Sequence, residues 1–293
     1  MPLLDDGDGL AFECPCAEEA EFLYEEIFVR RSYLQEGVDV PRDGAPTIVD
    51  LGANIGLFAL LALRLNPSAR IVAVEPAPPA FRALERNLSH APSARCVRLL
   101  VRERGGEAAL HCFASAPGES TCHPRERRMQ RARLASAVRR GGGEGLGRAA
   151  GGGGGDEEPS AAVRVRAVTL SSLLEQMGVH AVDLLKVDVE GDELRVLRGI
   201  SSARWPTIRQ VVVEVHDINH RLGSIRSLLR RHGFRVRSLP QHGGVVQGYN
   251  MVIPEELRLW YVYATRPSTA NSPARTLCPR RRKRARSDHG SSN

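Results

Sequence analysis

The chain has 293 residues, 42% of them hydrophobic, which is enough to bury a substantial core in one or two domains. Its 41 basic and 34 acidic residues leave a net charge of +7, but the surplus is concentrated: seven basic against one acidic residue in 275–293, and eight against five in 123–158. The remaining body is slightly acidic, which argues against a nucleic-acid surface, and neither a bilayer-spanning apolar run nor a basic signal sequence is present. The expectation is a soluble intracellular protein, cytoplasmic, with no membrane partner.

Residues 1–17 carry no periodic pattern and read as a flexible flank. From Glu18, Phe22, Leu23, Ile27 and Phe28 recur at helical spacing, predicting an amphipathic helix that covers a ligand cleft or a sheet edge. The run Ile48-Val49-Asp50-Leu51-Gly52-Ala53-Asn54-Ile55-Gly56-Leu57-Phe58 then reads as strand, tight turn and helix. Glycines at 52 and 56 let backbone and a helix N-terminus approach a ligand, and such a terminus favours a carboxylate or phosphate. The turn lacks both the G-x-G-x-x-G of dinucleotide sites and the Lys-Ser/Thr pair of phosphate loops. D-x-G-x-x-x-G suits S-adenosylmethionine instead. Arg70 to Glu75 is a second buried strand, and its terminal acid lies about 20 residues on, where a ribose-binding carboxylate belongs.

A helix opens at Pro78-Pro79 and runs to Leu88; Arg95–Val101 and Glu107–Phe113 read as further strands. Segment 123–159, rich in Arg and Gly, cannot bury enough apolar surface to offset its ordering entropy. Its first part, Arg125–Arg140, is predicted as an exposed helix and the rest as disordered, with a substrate-recognition lid as the alternative. Six cysteines (Cys14, Cys16, Cys96, Cys112, Cys122, Cys278) lack zinc-like spacing, so no metal site is expected.

Order resumes with a strand over Val163–Val168 and a helix over Leu170–Met177. In Val182-Asp183-Leu184-Leu185-Lys186-Val187-Asp188-Val189-Glu190-Gly191 a buried strand carries Lys186, Asp188 and Glu190 at its carboxyl end, where open α/β sheets form their clefts. These three are candidate site residues; a structural Lys186–Asp188 pair is the plainer alternative. Gln210–His216 repeats the design, and His216 is a candidate proton acceptor or a hydrogen-bonded wall residue. A helix over Ile225–His232, a strand over Phe234–Leu239 and a last, antiparallel strand over Trp260–Thr265 complete the body. The tail 268–293 is expected to be disordered, and Arg280–Arg284 offers a nuclear-localisation cluster.

These blocks, together with Glu26-Ile27-Phe28 and Tyr33, Glu75-Pro76, Thr169-Leu170 and Glu214-Val215-His216, resemble the FkbM-type S-adenosylmethionine-dependent methyltransferases over about residues 18–267, apart from the insert. The resemblance implies an α/β, Rossmann-like class I fold: a seven-stranded, mostly parallel sheet with an antiparallel last strand and helices on both faces. It implies O-methylation of a small molecule, sugar or polyketide- or peptide-type hydroxyl. Asp50, Gly52, Asn54 and Gly56 would hold the methionine end and Glu75 the ribose, while Lys186, Asp188, Glu190 and His216 would form the catalytic side. Leu100-Val101-Arg102-Glu103 departs from the small-residue and Ser-Asp segment usual on the adenine side, and Ser171 replaces the usual Asp. Two other classes compete: a non-catalytic S-adenosylmethionine-binding module, and a nucleic-acid-directed methyltransferase using its basic segments.

Overall fold

The computed structural model describes residues 3–5, 10–113, 117–141, 161–241, 245–246, 249–250 and 258–267. The elements in chain order are β1 (Leu3–Asp5), β2 (Ala11–Glu13), α1 (Ala17–Tyr24), β3 (Thr47–Leu51), α2 (Leu57–Leu65), β4 (Arg70–Val74), α3 (Pro78–Asn87), β5 (Ala94–Val97), β6 (Leu100–Val101), β7 (Gly106–Cys112) and α4 (Pro124–Gly141). There follow β8 (Ala161–Val168), α5 (Leu170–Gln176), β9 (Leu184–Val187), α6 (Glu193–Arg198), β10 (Gln210–His216), α7 (Arg221–Arg231), β11 (Arg235–Pro240), the short pair β12 (Val245–Val246) and β13 (Tyr249–Asn250), and β14 (Leu259–Thr265).

Seven strands form the central sheet in the order β11-β14-β10-β9-β3-β4-β5. Neighbours run parallel except β14, which is antiparallel to both β10 and β11. Alternation along the strands feeds two cores. Val49, Leu51, Val72 and Val74 pack with Leu173, Val196 and Ile225 of α5, α6 and α7. Ile48, Ile71 and Ala73 pack with Phe58, Leu61 and Leu84 of α2 and α3. Helices therefore cover both faces, and a sheet buried on both sides explains the near-continuous apolar strands. The connections wind in opposite directions on either side of β3, with β4 on one flank and β9 on the other, so the carboxyl ends of these strands frame the cleft.

Three expectations need correction. Arg95–Val101 is not one strand: β5 stays in the central sheet, whereas β6 leaves it to pair with β8. β7 also pairs with β8, so these three form a separate sheet, with Leu110 and Cys112 packed on Ala77 and Ala80 beside α3. The flank is not loose over its whole length. β2 pairs with β1, Phe12 and Cys14 are buried, and Asn87 exchanges hydrogen bonds with the backbone of Glu13 (2.7 and 2.9 Å). The amphipathic helix changes pitch at Glu25–Val29 to a π-helical turn. The glycine run 151–155 and the tail, with Arg280–Arg284, lie outside the described residues.

Candidate active site

The strand-turn-helix at β3–α2 is built as its residues dictate. Gly52 has φ +74°, and a Cβ there would lie 1.6 Å from the Asp188 carbonyl oxygen, so the loop closes against the end of β9 with no room for a side chain. Gly56, at φ +93°, is the N-cap of α2 and supplies no side-chain cap to the first N–H groups of the helix. Asn54 also takes a left-handed conformation, φ +47°. Its N–H donates to Glu75 Oε2 (2.9 Å), and Ala77 N–H donates to Glu75 Oε1 (2.8 Å). Burial pushes the Glu75 carboxyl up to about 7, against the lowering effect of those two donors.

Lys186 and Asp50 lie beneath the loop. Asp50 is fully buried, and Lys186, 2% exposed, sits 3.1 Å from Asp50 Oδ1 and 3.4 Å from Asp188 Oδ2 while donating to the Gly52 carbonyl at 3.0 Å. Burial alone would lower the Lys186 pKa, but Asp50 and Asp188 lift it, so the ammonium is permanently charged. The pair braces the loop from beneath, with the ammonium joining the buried Asp50 to the Gly52 carbonyl. Asp188 continues the network: Tyr33 Oη lies 2.9 Å from Asp188 Oδ2 and 2.8 Å from Glu214 Oε2. One hydroxyl proton cannot serve two carboxylates. Burial, with Asp188 and Glu26 beside it, raises the Glu214 pKa well above its ordinary value, which favours a proton on this carboxyl.

Glu190 faces His216. Glu190 Oε2 is 3.2 Å from His216 Nε2, and His216 Nδ1 is 2.8 Å from Glu193 Oε1. Burial would lower the imidazole pKa, but the two carboxylates raise it well above its ordinary value. Both His216 nitrogens are thus engaged by carboxylates, which favour the protonated ring. Burial raises the Glu190 pKa, opposed by His216. Glu190 keeps about a quarter of its side chain exposed and adopts φ +49°, a strained conformation of the sort that functional sites retain.

Several contributors escaped the sequence reading. Glu193 and Asp192, at the start of α6, are 0% and 1% exposed. Glu193 also meets Arg221 at 3.3 Å, and Arg221 reaches Glu126 of α4 at 2.8 Å. Asp192 gathers His123 (2.8 Å) and Arg102 (3.2 Å), and these donors hold its carboxyl below the ordinary value although burial would raise it. Thr121 Oγ1 donates to the Glu190 carbonyl at 2.6 Å. The first turns of α4 are accordingly not an exposed helix. They lie on the site, with Arg127 buried, its guanidinium 3.3 Å from the Phe113 ring centroid and bonded to Glu119.

A family model described as the methyltransferase FkbM domain matches residues 50–236, from Asp50 through the start of β11. The chain belongs to the FkbM methyltransferase family. Its fold is that of class I methyltransferases. It is 38% identical over 222 residues to the 31-O-demethyl-FK506 methyltransferase FkbM of Streptomyces tacrolimicus, covering 75% of this chain and 84% of that protein. It is 35% identical over 246 residues to the methyltransferase sdnD of Sordaria araneosa, covering 80% and 90%. The crystal structure of a methyltransferase FkbM from Methylobacillus flagellatus KT shares 14% identity and a TM-score of 0.46 over 82% of this chain and 48% of that one. The FkbM match spans Gly52, Asn54, Gly56, Glu75, Asp188, Glu190 and His216, and leaves Glu19, Glu26, Tyr33 and Tyr261 outside. Among the described residues no group of three or more His, Cys, Asp or Glu is arranged to hold a metal ion, and no helix is long and apolar enough to cross a membrane.

Proposed function

We propose that this FkbM-family chain is an S-adenosylmethionine-dependent O-methyltransferase acting on a hydroxyl of a small molecule, sugar or polyketide- or peptide-type metabolite. The observation that carries the reading is the convergence, at the carboxyl ends of β3, β4 and β9, of a helix terminus without a side-chain cap and the carboxylates Glu75, Asp188 and Glu190. That donor set fits the cofactor: the terminus favours its carboxylate, Glu75 its ribose hydroxyls, and the acidic rim its positive charges. When bound, S-adenosylmethionine supplies a methyl group already activated on a sulfonium. The chain's own residues then have two tasks. They hold the acceptor oxygen in line, which is worth up to ~7–11 kcal/mol, and they remove its proton.

Glu190 takes the proton in this reading, because it combines partial exposure, a raised pKa and a fixed neighbour in the His216 ring. His216 and Glu193 position it. Glu190→Gln is expected to slow methyl transfer by about 10²–10⁴-fold, well beyond any loss of cofactor affinity seen by titration calorimetry. Full turnover by the variant on an identified acceptor would remove the assignment.

Cofactor affinity should also depend on pH in a stated direction. With the Glu75 carboxyl at about 7, the ionised acceptor form dominates at pH 8 and is largely lost by pH 6. Calorimetry with methylthioadenosine, which keeps the ribose, should therefore show weaker binding at pH 6 than at pH 8, and Glu75→Gln should flatten the difference. The activity itself is tested by transfer of labelled methyl from S-adenosylmethionine to a panel of hydroxylated acceptors; product methylated at carbon or nitrogen would overturn the O-transfer reading.

A further inference from the structure

We infer that Glu19, on α1 and outside the family-matched residues, is a cofactor-binding residue whose carboxylate receives the α-ammonium of S-adenosylmethionine. The inference rests on the methyltransferase reading above. Glu19 is brought to the loop by three segments far apart in sequence. Its Oε1 accepts from Asn54 Nδ2 at 3.0 Å and from the Gly118 N–H at 2.8 Å. The fit around Gly118 is tight: a Cβ there would come within 2.1 Å of Glu19 Oε1 and 2.4 Å of Asn54 Nδ2. The turn Pro117–Glu119 thus lies against the Asn54 loop, with the Glu19 carboxylate clasped between them.

The clasp is short of positive charge. Both of its donors are neutral, the charged groups acting on it, Glu119 and Glu190, are acids, and among the described residues no Lys, Arg or His forms an ion pair with it. Burial, with those acids adding to it, pushes the carboxyl up to about 7. A part-buried carboxylate in such surroundings is neutralised by a proton or by a cation, and a cationic ligand group supplies the second.

Asn54 indicates which cation. Its backbone N–H holds Glu75 at the ribose side, and its side chain holds Glu19 on the other. One loop residue therefore sets two carboxylates, and the second falls to the methionine end of the ligand rather than to the nucleoside.

Three ligands separate the outcomes when titrated into the full chain and into Glu19→Gln, which keeps the amide oxygen as acceptor for both donors. S-adenosylmethionine carries ammonium and sulfonium, S-adenosylhomocysteine only the ammonium, and methylthioadenosine neither. The expected result is a loss of about 10–100-fold for the first two ligands alike, none for methylthioadenosine, and partial recovery in Glu19→Asp. A loss confined to S-adenosylmethionine would move the contact to the sulfonium and overturn the ammonium assignment. A loss for all three would make Glu19 a loop support, and no loss would make it a bystander; both overturn the proposal. If the wild-type chain binds none of the three, the methyltransferase reading itself falls, and this assignment with it.

Discussion

In Lys186→Met the melting temperature is expected to fall by about 6–20 °C. Removing one partner of a buried ion pair costs about 3–5 kcal/mol, because the other charge is left without compensation, and each kcal/mol shifts the midpoint of a domain this size by about 2–4 °C. Asp50 is the residue left behind: it is fully buried, and Lys186 is the cation at its carboxylate. The loss should depend on pH. Burial already raises the Asp50 pKa above its unfolded value, and without Lys186 nothing opposes that rise. A carboxyl raised on folding favours the folded state at low pH and withdraws that support as pH climbs through its folded value. The deficit should therefore be smaller at pH 5 than at pH 8. The double variant Lys186→Met/Asp50→Leu should recover most of the stability, since replacing a whole buried pair by apolar groups is often neutral. A single variant as stable as the wild type at pH 8 would show that the pair is not a brace.

Gly52→Ala should be as damaging for a different reason. The left-handed backbone at φ +74° costs a residue with a Cβ about 1–2 kcal/mol. The added atom would also overlap the Asp188 carbonyl oxygen at 1.6 Å, and that oxygen is backbone, so β9 or the loop must move. Either movement shifts Asp188 and Glu190 relative to Asn54 and Glu75. Thermal melting should show the destabilisation, and calorimetry should show cofactor binding falling below detection even below the new midpoint. Retained binding at wild-type affinity would mean that the loop tolerates displacement.

The parts of this site that could be read from the sequence are those with a local cause. Gly52 and Gly56 sit where turn geometry demands them, Glu75 ends an apolar strand, and Asp188 and Glu190 interrupt one; each leaves a mark within ten residues. The electrostatic state of the site leaves none. The raised pKa of His216 depends on Glu190 and Glu193, and Asp192 gathers His123 and Arg102, 69 and 90 residues away. The composition of the Arg-rich segment after His123 reads as solvated, and nothing within it announces that Glu126 will meet Arg221, 95 residues on. β6 and β7 were legible as extended chain, but not as members of a second sheet. Strand pairing is a choice between distant partners, and alternation alone does not say which edge will accept them.

The place of β14 bears on how the chain is made. Among the described residues the last strand in sequence is not last in the sheet: it lies between β10 and β11, and it joins both by antiparallel registers of seven and six residue pairs. During synthesis β10 is therefore exposed as an apolar edge, Val211 to Val215, until residue 265 has left the ribosome. Among the described residues β11 has no partner in the sheet before then either. An unpaired edge of this kind is open to pairing with another nascent chain. The interval between translation of Gln210 and of Thr265 is thus when the polypeptide is most exposed to misassociation, and slow translation or a stalled ribosome within it would be felt as aggregation rather than as a loss of activity.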